Sequence, residues 1–263
     1  MRIAFLSDLH LAPGALSRCV TSPDRLLRDL DALQTWADEV ILLGDVYDLL
    51  RPATPRGWRA HLGHIRQQHP QLCARLDALT HVWGNHDAPL RAQGSLECWS
   101  YKSPTCSLRA LHGHQSDALV KRVPVLAEAG NFAAGWLQRV NRPRMARKLG
   151  LVPERLEQLK GKGAQDGLDR IVGLADEVLS QGWDIVVCGH THRLGAFVRP
   201  QGLFLNTGAH TNLAGPEYTL VDTQRGAAQC IRRGLFHDGA HLEGSSWVHV
   251  LHQPVWIPQL QET

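Results

Sequence analysis

The chain repeats one arrangement five times: a short apolar run, a sharp turn usually marked by glycine, then a cluster of aspartate, asparagine or histidine. Residues 2–7 lead into Asp8-Leu9-His10, and residues 39–43 lead into Gly44-Asp45-Val46-Tyr47-Asp48. His81-Val82-Trp83 leads into Gly84-Asn85-His86-Asp87, residues 108–111 into His112-Gly113-His114, and residues 184–188 into Gly189-His190-Thr191-His192. Short apolar runs bounded by turns predict buried strands. Between the first two, Leu26, Leu27, Leu30, Leu33 and Trp36 recur at helical spacing over 24–37, and a second helical stretch is predicted over roughly 57–78. Strands alternating with helices predict an α/β sheet, and in such sheets ligands bind beyond the carboxyl ends of the strands. All five clusters fall there. After residue 203 short strands are predicted around 203–205, 218–221 and 247–251.

The side chains of these clusters are of one chemical kind. Asp8 and His10 are two apart, so an extended chain puts them on one face, where they can converge on one ion. His190 and His192 repeat that spacing. Asp45 can bridge two ions with its two oxygens, Asn85 offers a neutral carbonyl oxygen, and His112 another imidazole. The set mixes nitrogen and oxygen without thiolate, which suits Mn, Fe or Zn rather than a structural cysteine-type site. Seven ligands are too many for one tetrahedral ion and fit two. Two ions ~3.5–4 Å apart polarise a phosphoryl group and lower the pKa of a bridging water, the chemistry of in-line phosphoester hydrolysis. A lone Asp or His in a turn is usually exposed or capping; the joint occurrence of five clusters in register is what carries the reading. His114 stands next to the ligands and is a candidate to orient them from behind. His61 and His64, three apart on a predicted helix, read as surface or partly buried residues rather than a metal pair.

Composition narrows the class. A chain of 263 residues with 43% hydrophobic and 20% charged residues suits one globular α/β domain spanning 1–263. No apolar run is long enough to span a bilayer, and the strand-like N-terminus running into Ser7-Asp8 does not read as a secretory leader. The expected location is cytoplasmic, and the six scattered cysteines are expected as reduced thiols, with Cys188 buried. A net charge of only +3 gives no general argument for nucleic acid, whereas 15 histidines direct attention to metal.

Residues 118–180 are not needed to supply a ligand and are predicted as a helical insertion. Val125, Ala129, Phe132, Trp136 and Val140 form one helical stripe, and Ile171, Leu174, Ala175 and Val178 another. From 121 to 162 there are ten Lys and Arg against three acidic residues, a local +7 that leaves the rest of the chain at −4 out of the total of +3. Such a segment reads as a cap whose cations, Arg142 and Arg147 among them, hold an anionic substrate. Its other readings are a peripheral membrane contact and an ordinary solvated helical hairpin.

The five motifs together resemble the calcineurin-like metallophosphoesterase superfamily over roughly residues 1–225. The resemblance implies a four-layer αββα sandwich with the site at the strand ends. Asp8, His10, Asp45 and His192 would then hold one metal, and Asp45, Asn85, His112 and His190 the other, with manganese favoured and iron or zinc as alternatives. It implies that His86 contacts the phosphate and assists the leaving oxygen, that Asp87 acts with it, and that Asp48 and Asp87 orient ligands. Asn206-Thr207-Gly208 would pack back near the site, and His210, which follows, becomes a candidate to face the substrate. The implied reaction is hydrolysis of a phosphomonoester, phosphodiester or pyrophosphate bond by a metal-bridging hydroxide. The helical insertion is similar to that of the UDP-2,3-diacylglucosamine pyrophosphohydrolases of lipid A synthesis. That branch typically carries Gly-Asn-Arg-Asp and His-Gly-Asp, whereas this chain has His86 and His114 at those places. A nuclease acting on DNA or RNA and a non-catalytic interaction module are the other classes weighed; the first normally carries a further domain after the core, and the second loses ligands that this chain retains.

Overall fold

The computed structural model describes residues 1–13, 17, 19, 21–49, 57–116, 167–211, 216–232 and 248–249. The predicted insertion, and with it Arg142 and Arg147, lies largely outside the described residues.

Two sheets form the centre. The first has the order β11-β10-β9-β1-β2-β3, with β1 (Arg2–Leu6), β2 (Glu39–Leu43) and β3 (Thr80–Val82) parallel and β9 (Glu217–Asp222), β10 (Ala227–Arg232) and β11 (Val248–His249) antiparallel beside them. The second has the order β4-β5-β6-β8-β7. Its β5 (Ser107–Leu111), β6 (Ile185–Cys188) and β8 (Gly202–Thr207) are parallel, with antiparallel β4 (Cys98–Lys102) and β7 (Leu194–Arg199) at the edges.

The alternation of side chains along each strand builds four layers. On β1 and β2, Ile3, Phe5, Ile41 and Leu43 face the other sheet and meet Leu108, Ala110, Ile185, Val187, Leu203 and Leu205 in a buried middle layer. The intervening Ala4, Leu6, Val40 and Leu42 face outward and are covered by α1 (Pro23–Trp36), α2 (Trp58–Gln68) and α3 (Pro70–Asp77) through Leu26, Leu30, Leu33, Leu62, Ile65, Leu72 and Leu76. On the far side, Val186, Cys188 and Phe204 are covered by a helix described over 167–179, here α4, through Ile171, Ala175, Val178 and Leu179. Helices outside, two sheets inside is the expected αββα arrangement. The second stripe read at 171–178 is helical, but it covers a sheet. This end of the 118–180 segment therefore belongs to the sandwich and is no cap.

The helix boundaries follow local chemistry. Helix α1 begins where the Ser22 hydroxyl accepts the Arg25 N–H and Pro23 fills the first turn. The single helix predicted over 57–78 is two helices. Pro70 starts the second one, and proline disfavours helical geometry in the residue before it; His69 adopts φ −133°, ψ 58° and ends the first.

The middle layer sets the stability. Leu205, fully buried between the sheets, should cost about 2–5 kcal/mol when changed to alanine. Leu96→Ala, at a 42% exposed side chain, should change stability by less than about 0.5 kcal/mol. Chemical denaturation of both variants checks the ranking, and equal losses would contradict the layer assignment.

Candidate metal centre

The five motifs all follow the carboxyl ends of parallel strands: Asp8 follows β1, Asp45 β2, Asn85 β3, His112 β5 and His190 β6. The two parallel sets end on the same side, so loops from both sheets converge there. Among the described residues, the non-glycine positions with left-handed backbone are Asp8 (φ 55°), His10 (48°), Asp45 (54°), His190 (70°) and His192 (57°). All five are expected ligands. Side chains with a Cβ enter this region at a cost, and Asp and His are among those that tolerate it best. The loops are tied to each other beyond the strands. Asp8 N–H donates to Gly44 C=O at 3.0 Å, His10 N–H to Asp45 C=O at 2.9 Å, Leu11 N–H to Val46 C=O at 2.9 Å, and Gly189 N–H to His112 C=O at 2.9 Å. Gly44 is required at its turn: φ is 84°, and a Cβ there would stand 2.5 Å from His112 Nδ1. A Cβ at Gly84 would strike the Asp45 carboxylate.

The side chains gather into two adjoining groups. In the first, His192 Nε2 lies 3.2 Å from Asp8 Oδ1 and 3.3 Å from His10 Nε2, and His10 Nε2 lies 3.7 Å from Asp8 Oδ1. The second holds Asp45, His112 and His190, with His112 Nε2 3.4 Å from Asp45 Oδ2. Asp45 Oδ2 is also 3.7 Å from His10 Nε2, so one oxygen faces both groups. The other, Oδ1, accepts the His86 N–H at 2.8 Å. The sequence suggested bridging by both oxygens; in the structure one oxygen faces both groups and the other accepts a main-chain N–H.

Whether the residues suit cations is answered by what they leave unsatisfied. Among the described residues, Asp8 Oδ1, Asn85 Oδ1 and His112 Nε2 are buried without a hydrogen bond, the first and last having only the imidazole and carboxylate contacts given above. Buried polar atoms normally find a partner, and these three are all on expected ligands. Their neighbours are oriented to match. His112 Nδ1 donates to Leu43 C=O at 2.8 Å, which turns Nε2 toward Asp45. Asp8 Oδ2 accepts from Ser7 Oγ at 2.5 Å and from His190 N–H at 2.9 Å, which leaves Oδ1 for the group. Burial opposes charge on His112, yet the Asp45 carboxylate outweighs it and pushes the ring up to about 10. Burial likewise opposes charge on Asp8, but His192 and His10 hold its carboxyl well below the usual range. Burial, then the neighbouring His112, lowers His190 to about 4. The group thus keeps its two carboxylates ionised against burial, and a cation would displace the proton that Asp45 favours on His112. The donors fit divalent ions.

The remaining expected residues divide. His86 Nδ1 lies 2.9 Å from Asp48 Oδ1, and its ring meets His10 edge-on at 4.7 Å, so it stands at the first group, held from behind by Asp48. Asp87, expected beside His86 in catalysis, is fully buried, and both its oxygens are engaged by backbone: Gly84 N–H at 2.6 Å and Val46 N–H at 2.8 Å. It ties the loops after β2 and β3 together. His114 is buried against Trp83 and His112, and burial, then His112, lowers it to about 3. His210, a candidate to face the substrate, is turned into the protein. It is fully buried, with Nδ1 3.3 Å from Thr21 Oγ1 and Nε2 3.2 Å from Glu217 C=O. The Asn206-Thr207-Gly208 loop does pack back: Thr207 Oγ1 is 2.6 Å from Ser7 Oγ, and Asn206 Nδ2 donates to Thr191 Oγ1 at 2.7 Å.

Two contributors escaped the sequence reading. Ser7 clamps Asp8, and its place immediately before the motif was the available signal. Thr211 Oγ1 lies 3.2 Å from His192 Nδ1, with nothing local to announce it.

Divalent cations should stabilise the fold they complete. Mn²⁺ at ~100 times its Kd should add about 2.7 kcal/mol, a rise in melting temperature of roughly 5–10 °C. Asp45→Asn should lose most of that rise. A wild-type melting curve indifferent to Mn²⁺, Fe²⁺ and Zn²⁺ would contradict the centre.

The calcineurin-like phosphoesterase superfamily domain matches residues 1–226. No curated protein matches the chain. Similar solved structures include a dimetal phosphatase from Danio rerio, with 15% identity, 89% of this chain and 96% of that one covered, and a TM-score of 0.48. Others are a Vps29 from Entamoeba histolytica complexed with zinc (15% identity, 89% and 98% covered, TM-score 0.41) and an archaeal phosphodiesterase (16% identity, 89% and 100% covered, TM-score 0.40). With the family matched over most of its length, the chain belongs to the calcineurin-like phosphoesterase superfamily.

Proposed function

We propose that this protein is a hydrolase of phosphomonoester, phosphodiester or pyrophosphate bonds that works with two divalent cations, manganese before iron or zinc. The observation that supports this most is Asp45 Oδ2, which faces two N/O ligand groups where Asp8 Oδ1, Asn85 Oδ1 and His112 Nε2 are buried without a hydrogen bond among the described residues. Asp8, His10 and His192 would hold one ion, Asn85, His112 and His190 the other, with Asp45 between. When bound, the ions polarise the phosphoryl group and lower the pKa of the attacking water.

The chain's own residues supply the rest. Asp48 holds His86 at Nδ1, which leaves Nε2 to meet a phosphoryl oxygen or give a proton to the leaving oxygen. Asp87 fixes the turn that presents Asn85 and His86 by gripping the N–H groups of Gly84 and Val46. The basic segment 121–162, with Arg142 and Arg147, would receive the distal anionic part of the substrate; it lies outside the described residues. A cytoplasmic setting fits, and among the described residues no helix is long and apolar enough to cross a membrane.

Purified protein with Mn²⁺ should be screened on mononucleotides, cyclic nucleotides, bis-phosphodiesters, UDP-diacylglucosamine and oligonucleotides. Turnover of UDP-diacylglucosamine would select the lipid A branch, and oligonucleotide cleavage the nuclease reading. On whichever substrate turns over, His86→Ala should bind metal normally and lose about 10²–10⁴ in kcat. Asp48→Asn should lose less. An unchanged rate in His86→Ala would remove that residue from the mechanism, and no turnover of any ester would contradict the enzyme.

A further inference from the structure

An imidazole that binds a cation through Nε2 needs its Nδ1–H held, because that bond fixes both tautomer and ring orientation. For His112 the main chain does this, through Leu43 C=O. For His192 the corresponding contact is a side chain, Thr211 Oγ1 at 3.2 Å. His192 needs it more: its side chain is 28% exposed, whereas that of His112 is fully buried. Packing alone therefore does not fix the His192 ring.

Thr211 is well placed to hold it. Strand β8 ends at Thr207, and the loop beyond is pinned at successive points. Ala209 N–H donates to Glu217 Oε2 at 2.9 Å, and His210 N–H donates to Asp8 C=O at 3.2 Å. The His210 ring is locked between Thr21 Oγ1 and Glu217 C=O and packs edge-on against Tyr218. Thr211 is the next residue, so its hydroxyl is carried on backbone fixed to both β9 and the Asp8 loop.

We propose that Thr211 is a positioning residue for the ion of Asp8, His10 and His192: its hydroxyl accepts the Nδ1–H of His192 and so presents Nε2 to that ion. This rests on the two-ion reading above. The effect is confined to one of the two ion sites, since among the described ligands Thr211 bonds only His192, and the His112 ring of the other site is set by Leu43 C=O and burial.

The test is a titration of the metal-free full chain with Mn²⁺ by calorimetry, with electron paramagnetic resonance on the same samples to tell single ions from coupled pairs. Wild type should bind two ions per chain. Thr211→Val, which keeps the shape and removes the hydroxyl, should weaken one of the two constants by about tenfold, leave the other unchanged, and delay the coupled-pair signal to higher Mn²⁺. Thr211→Ser should restore the weakened constant. Two unchanged constants in Thr211→Val would overturn the role, as would parallel loss of both with a lowered melting temperature, which marks general loosening. Failure of Thr211→Ser to restore binding would overturn it too. A wild-type stoichiometry below two is a different result and would overturn the two-ion reading itself, with the role of Thr211 falling alongside it.

Discussion

Five residues forced into left-handed backbone at strand ends are the constraint on which this structure turns. Asp8, His10, Asp45, His190 and His192 each adopt a conformation that a side chain bearing a Cβ occupies at a cost of roughly 1–2 kcal/mol. Nothing in the individual loops repays that. The compensation is collective: the loops after β1 and β2 continue to hydrogen-bond beyond the sheet, from Asp8 through Asp48, and the loop after β6 is bonded to that after β5. Each such bond is worth about 1 kcal/mol net, so several together offset the strain. The sandwich supplies the rest by burying both faces of β1, β2, β6 and β8, which fixes where their loops begin.

The same convergence creates an electrostatic problem and its solution. Asp8 and Asp45 are buried carboxylates within 3.7 Å of imidazole nitrogens. Burial alone would drive them to take up protons, yet the rings around them keep them ionised. The result is a pre-built negative cluster with unsatisfied donor atoms at its centre. A site of this kind spends stability in the absence of its ions and recovers it when they bind. That links the strained turns, the orphaned atoms and the family's phosphoester chemistry in one account.

Much of this was legible in the sequence because strand and ligand are adjacent in it. A buried strand must be an apolar run, and a residue just past its end must lie at the sheet's carboxyl edge, so the places of the seven candidate ligands and the α/β layering follow from local pattern. The break at His69–Pro70 was also local, but periodicity carried the helix across it. Other features were not legible, because they are contacts across long stretches of chain. Asp87 reads as a catalytic neighbour of His86 until its oxygens are seen to hold Gly84 and Val46. His210 reads as a substrate contact until its ring is found buried between Thr21 and Glu217. Ser7 and Thr207 meet from 200 positions apart. Ile171 and its helical neighbours show a stripe, but a stripe does not say whether it covers a sheet or a site.

The central claim is that one carboxylate oxygen organises two ions. Anomalous diffraction from crystals soaked in Mn²⁺ measures this directly. The account predicts two peaks ~3.5–4 Å apart, one against Asp8, His10 and His192 and one against Asn85, His112 and His190, with Asp45 Oδ2 between them. A single peak at saturating Mn²⁺, or a pair with Asp45 bound to only one ion, would contradict it.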